Sequence, residues 1–372
     1  MTGMQAALLD NIRISNGPDS LRSYFHELLH TDREKLLVLL NDRNLRFRSL
    51  YILKQDIAVN SLMGELPSVY RKALEIADEL SEKTGSGYAA GPSRQTSALT
   101  SQRTRTMRAM RSLRATRATR SNPAVSASDH SYREIEKRMR LNTQEVLPAL
   151  EWIVDTGWDD EPLRAAYELL LERCTSLILK DFRKCSVLPA VADTIFSRNR
   201  QGKLIHNLVW AFFEACDPDS LYLIAQRLNS ADSSDTTLAK KLLCFIPGLD
   251  EAAGTGAYIK AMQWLSENRP FLCYTGETMQ MCSRPVYYTV SQEAKYLCRP
   301  LSASSGKLLS PLQDSELKLL EEFRKQPEAL QKHLADFSCM LHRRDLYQWA
   351  AWIRLSVVRQ AETVSEITGG LA

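Results

Sequence analysis

No run in the 372 residues approaches the roughly 18–20 apolar side chains that a membrane-crossing helix needs, so no transmembrane segment is expected. The opening stretch, MTGMQAALLDNIRIS, has neither a basic region nor a sustained apolar one, and no secretory signal is expected. Cysteine is missing before Cys174, and none of the eight forms a CxxC pair. A chain this long builds its core without disulfides, so free thiols in a reducing compartment, the cytoplasm or an equivalent, are expected. Phosphate-cradling loops are missing too. TGSG at residues 84–87 follows a helical stretch and lacks the Lys-Ser/Thr of a P-loop. There is no GxSxG nucleophile elbow and no alternation of strand and helix, which excludes a Rossmann sheet and a barrel.

What is present is ordinary globular composition, 44% apolar and 25% charged. The length implies two or three compact units, at roughly 100–200 residues each. Helical periodicity dominates. Leu21, Tyr24, Phe25, Leu28 and Leu29 form an i, i+3, i+4, i+7, i+8 stripe after Pro18-Asp19. Further helices are expected after Thr31, over 44–59 and over 68–83, which gives an N-terminal helical bundle at residues 1–84. Residues 132–269 read as a helical array, and 311–372 as C-terminal helices, the last at 345–367. Between them, 270–310 is an irregular insertion whose β-branched and aromatic residues around a Thr-Gly turn suggest a short hairpin. The fold class is all-α.

Residues 85–131 break the pattern. They are rich in Gly, Ser, Thr, Ala and Arg, and too poor in large apolar side chains to offset their ordering entropy. A disordered Arg-rich linker is expected, and with it a domain boundary. Residues 91–131 hold eight Arg and one Asp, whereas 1–90 carry 11 basic and 12 acidic side chains and 132–372 carry 29 and 31. The net charge of +4 therefore resides in this stretch. Arg108, Arg111, Arg114, Arg117 and Arg120 are spaced by three, behind Arg103 and Arg105. They align along one edge of a polyproline-II chain but wrap around an α-helix. Guanidinium without lysine suits bidentate contact with phosphate or carboxylate. An acidic protein, nucleic-acid backbone and an anionic surface are the candidate partners, and a solvated tether is the plain alternative.

Two other patterns carry chemistry. His26-Glu27-Leu28-Leu29-His30 has the HExxH spacing that brings two imidazoles to one helix face for zinc, with the Glu as general base. These five residues resemble the zincin peptidase signature, which implies a zinc hydrolase. Against it, Leu21, Phe25, Leu28 and Leu29 mark the buried face and leave the histidines towards solvent. No third ligand is marked, although Glu75, Glu79 and Glu82 are available. Cys273, Cys282 and Cys298 do not have zinc-finger spacing. The last helix carries Trp349 and Trp352 on a broad apolar face, either central to a bundle or a docking surface.

Helix pairs recur roughly every 35–40 residues, and LYLIAQRLNSADSSDTTLAKKLLCFI reads as a helical hairpin. Residues 160–268 thereby resemble HEAT-type repeats, which implies an extended protein-binding surface; an irregular bundle has the same spacing. Three functions stand open. The reading preferred here is a non-catalytic scaffold, adaptor or regulator that binds partner proteins without a cofactor, its linker contacting an acidic partner. The alternatives are a zinc-dependent hydrolase built on residues 26–30 and a nucleic-acid binder acting through residues 103–120.

Overall fold

In the computed structural model, residues 7–82, 139, 142–159 and 164–369 are described. Among them are seventeen α-helices and one two-stranded sheet, so the chain is mostly α. No helix of the described residues is long and apolar enough to cross a membrane. The chain forms two compact units, Met1–Cys174 and Thr175–Ala372.

The first unit contains α1 (Leu8–Asn16), α2 (Pro18–Thr31), α3 (Arg33–Leu40), α4 (Phe47–Val59), α5 (Ser68–Glu82), α6 (Thr143–Gly157) and most of α7 (Ala165–Ser176). Pro18 starts α2, where its missing N–H is not needed, and the Asp32 side chain caps α3 by accepting from the Lys35 amide at 3.0 Å. The inward stripes are those of the sequence: Leu21, Phe25 and Leu28 on α2, Leu50, Leu53 and Ile57 on α4, Ala73, Leu74, Ala77 and Leu80 on α5. Helix α1 has no counterpart in the periodicity reading.

The sequence reading ends this bundle at residue 84 and begins a new array at 132. The structure instead places α6 in the same unit, packed on α4 and α5. Trp152 on α6 explains the return: its ring stacks on Tyr70 at 4.2 Å, meets Phe47 at 5.6 Å, and its indole N–H donates to the Leu45 carbonyl at 3.2 Å. The Thr156 hydroxyl accepts from the Phe47 amide at 3.0 Å. Just beyond α6, the Asp159 carboxylate accepts from Arg13 on α1 at 2.8 Å. Residues 85–131, with the expected linker, lie outside the described residues.

Gly157 shows how tightly α6 ends. A Cβ there would stand 2.5 Å from Leu171 Cδ2 and 3.3 Å from the Phe47 ring. Leu171 is fully buried, so neither neighbour has room to give. Gly157→Ala is expected to overpack this corner and cost about 1–3 kcal/mol, read as a lower urea midpoint at unchanged slope.

The second unit begins with a π-helical turn at Leu177–Asp181 and continues through α8 (Leu188–Arg200), α9 (His206–Glu214), α10 (Leu221–Gln226), α11 (Ser233–Leu242) and α12 (Gly254–Asn268). The expected helical hairpin is present. Helix α10 runs on as a 3-10 turn to Asn229, and Asp232 caps α11 by accepting from the Ser234 amide at 2.8 Å. Helix α8 packs on α9 and α11, and α10 packs on α12. The insertion forms the anticipated hairpin, β1 (Leu272–Tyr274) antiparallel to β2 (Tyr288–Val290), with Cys273 opposite Thr289.

The C-terminal elements are α13 (Gln292–Tyr296), α14 (Asp314–Arg324), α15 (Glu328–Arg344), α16 (Leu346–Trp352) and α17 (Val357–Gly369). Their core gathers Tyr296, Leu320, Phe323, Leu334, Phe337, Trp352, Val357 and Val364. Here the sequence reading needs correction. The single helix expected over 345–367 is two helices, broken at Ile353–Ser356. Buried Gln360 holds the break: its Nε2 donates to the Ile353 and Leu355 carbonyls at 3.2 and 3.0 Å, while its Oε1 accepts from the Tyr296 hydroxyl at 2.5 Å.

Candidate functional site

The HExxH residues lie on α2 as the spacing requires, and all three of His26, Glu27 and His30 are exposed. The buried stripe of Leu21, Phe25 and Leu28 occupies the opposite side of the helix. His26 Nε2 is 3.1 Å from Asp56 Oδ1 on α4, and the imidazole meets the Phe25 ring edge-on at 5.6 Å. Among the described residues no group of three His, Cys, Asp or Glu side chains is placed to hold a metal ion. A catalytic zinc needs three converging ligands within a shielded cleft, and the described residues around His26 and His30 offer no such third ligand. The arginines at 103, 105, 108, 111, 114, 117 and 120 lie outside the described residues.

The two tryptophans part company. Trp352 is 5% exposed, with its ring against Phe337 at 5.2 Å and Tyr296 at 6.2 Å. That burial favours the core over the docking surface for its side of α16. Trp349, one turn earlier, is half-buried. Its indole N–H donates to Ser338 Oγ at 2.9 Å, and His342 stands edge-on to its ring at 4.7 Å.

Trp349 also lines a cavity of about 480 Å³ between the turn after α13, the start of α14, and α16. Leu297, Leu319, Ala350 and Ile353 supply its apolar wall; Cys298, Arg299, Gln313, Glu316 and Arg354 supply the polar one. Arg299 is locked. It ion-pairs with Glu316 at 2.8 Å and donates to Ser310 Oγ at 3.0 Å and the Pro311 carbonyl at 2.9 Å. The second Glu316 oxygen accepts from the Gln313 amide at 2.8 Å and so caps α14. Arg354 is exposed at the rim.

Behind this wall, the Ser338 hydroxyl organises the packing of α13 on α15. It is fully buried and donates to the Tyr296 carbonyl at 2.6 Å, so the Trp349 N–H bonds to its oxygen. Cys298 Sγ is 3.6 Å from the same oxygen. Sequence reasoning singled out Trp349 but neither Ser338 nor the neighbouring thiols as a group. No short spacing marks them, because Cys298 and Ser338 come together across 40 residues.

No protein-family model, curated protein or solved structure matches this chain.

Proposed function

We propose that this chain is a non-catalytic helical adaptor that binds partner proteins, its Arg-rich segment contacting an acidic partner. The partition of charge carries this reading: eight Arg and one Asp within residues 91–131, beside flanking segments that are each close to neutral. So concentrated a cationic stretch acts locally, and guanidinium pairs with carboxylate in a two-pronged geometry that ammonium lacks. The helical units add apolar contact area, with Val38 71%, Val59 84% and Tyr347 91% exposed. Single exposed apolar side chains are common on any surface, so they support the reading without carrying it.

The test uses the full chain and a variant with arginines 103, 105, 108, 111, 114, 117 and 120 changed to Ala. A labelled polyglutamate peptide and a duplex DNA of equal charge are titrated against both at two salt concentrations. The expected result is peptide binding that weakens at least tenfold between 50 and 200 mM salt in the parent chain, with the salt dependence gone in the variant. Much tighter binding of the duplex would move the assignment to nucleic acid. Equal binding by parent and variant would leave the segment a tether.

A further inference from the structure

The cavity beside Trp349, about 480 Å³, has the size of a small-molecule site, and the turn after α13, the start of α14 and α16 close around it. Its wall is fixed before anything enters. The Arg299–Glu316 ion pair at 2.8 Å ties the turn to the start of α14. Leu297 is buried, and the Trp349 indole is held by its bond to Ser338 Oγ. Buried Gln360 donates to the carbonyls of Ile353 and Leu355, which pins the backbone on both sides of Arg354 where the helix breaks. We infer that this cavity binds a small amphipathic monocarboxylate. Its apolar body rests on Leu297, Leu319, Trp349 and Ile353, and its carboxylate meets the Arg354 guanidinium.

Charge selects the class of ligand. Three charged side chains line the cavity, Arg299, Glu316 and Arg354. The first two neutralise each other and are committed further, Arg299 to Ser310 and the Pro311 carbonyl, Glu316 to the Gln313 amide. Among the described residues Arg354 has no ion pair and no hydrogen bond. The lining therefore carries one uncompensated positive charge, at the rim. A cationic ligand would be repelled there, and a neutral one would leave the guanidinium unused. A carboxylate takes two parallel N–H donors from it.

The two ends of the ligand do different work. Burial of the apolar body supplies most of the affinity, in proportion to the area removed from water. Arg354 is exposed, so water and salt screen its contact, and it chooses the head group more than it adds strength. Its loss is expected to weaken a carboxylate about fivefold, the upper range for an exposed ion pair, and to leave an uncharged head group unaffected.

The test titrates the full chain calorimetrically with decanoate and with decan-1-ol, in the parent and in Arg354→Gln. The expected result is saturable decanoate binding, one per chain, that weakens about fivefold in the variant while decan-1-ol stays within twofold. A decanoate bearing a diazirine at its terminal carbon locates the site in the parent chain, with no variant needed. Its label should fall within residues 297–299, 313–319 or 349–354 and disappear under excess decanoate. Circular dichroism checks that Arg354→Gln is folded. The site uses no residue of the Arg-rich segment, so the variant with seven arginines changed to Ala should bind decanoate as the parent does. Labelling elsewhere, no saturable binding up to 1 mM, or equal decanoate affinity in parent and Arg354→Gln would each overturn the assignment.

Discussion

Replacing Arg13 with methionine is expected to cost the unit Met1–Cys174 about 3–5 kcal/mol, the range for removing one partner of a buried ion pair. Arg13 is 1% exposed, and its guanidinium joins parts of the chain that are far apart in sequence. It donates to Ser49 Oγ at 2.9 Å and to Asp159 at 2.8 Å, and Arg48 stands 3.5 Å from the same carboxylate. The Ser49 hydroxyl in turn donates to Asp10 at 2.5 Å, and Asp10 accepts from the Arg46 amide at 2.9 Å. Methionine fills much of the volume but leaves Asp10 buried with less compensation. Urea unfolding followed by hydrogen exchange on peptides of α1, α4 and α6 would localise the loss. Unchanged protection in α6 would mean that Arg13 does not tether the segment after the Arg-rich stretch.

The same network sets a pH dependence. Burial alone would raise Asp159, but Arg13, by charge and hydrogen bond, outweighs it together with Arg46 and Arg48 and lowers this carboxyl below its ordinary value. A lowered folded-state value stabilises the native state above the unfolded value near 3.8, and that stabilisation is lost as pH falls through the folded value. Asp159→Asn should flatten this acid limb. Asp10 works the other way. Burial raises it despite Ser49 and the Arg46 amide, so its contribution is complete at low pH and declines as pH rises through the raised value.

Trp352→Ala is expected to cost the second unit about 3–5 kcal/mol, the usual loss for a large aromatic removed from a packed core. The ring sits among Tyr296, Phe337 and the side chains of α17, and no neighbouring atom of the described residues accepts from its buried indole N–H. Trp352→Phe keeps the aromatic packing and discards that unpaired donor, so it should cost much less, about 1 kcal/mol. Trp349→Ala should fall between, because its half-buried ring gives up a single hydrogen bond to Ser338. Hydrogen exchange across α13–α17 checks the order. An Ala variant at 352 that kept full protection, yet lost binding to a partner, would return that side chain to the surface role.

The sequence reaches local structure because local structure depends on near neighbours. The stripe from Leu21 to Leu29 and the helix that follows Thr31 are legible within a few residues, and each is present. The exposure of His26 and His30 is legible the same way, since a helix with one buried stripe turns its remaining faces outward. Long-range pairing is different, because no spacing rule specifies it. Trp152 returning to Tyr70, Arg13 reaching Asp159 and Cys298 meeting Ser338 each join residues tens of positions apart. The helix break at Ile353–Ser356 belongs with them. The apolar pattern runs on unbroken through Val357 with no Gly or Pro, and Gln360 and Tyr296 stop the helix from outside. Sequence by itself determined that this chain is helical and where its positive charge is concentrated. Tertiary structure decided which helices share a core, that Trp352 lies inside one, and that Cys298 meets Ser338, because each depends on close packing between surfaces that no single segment encodes.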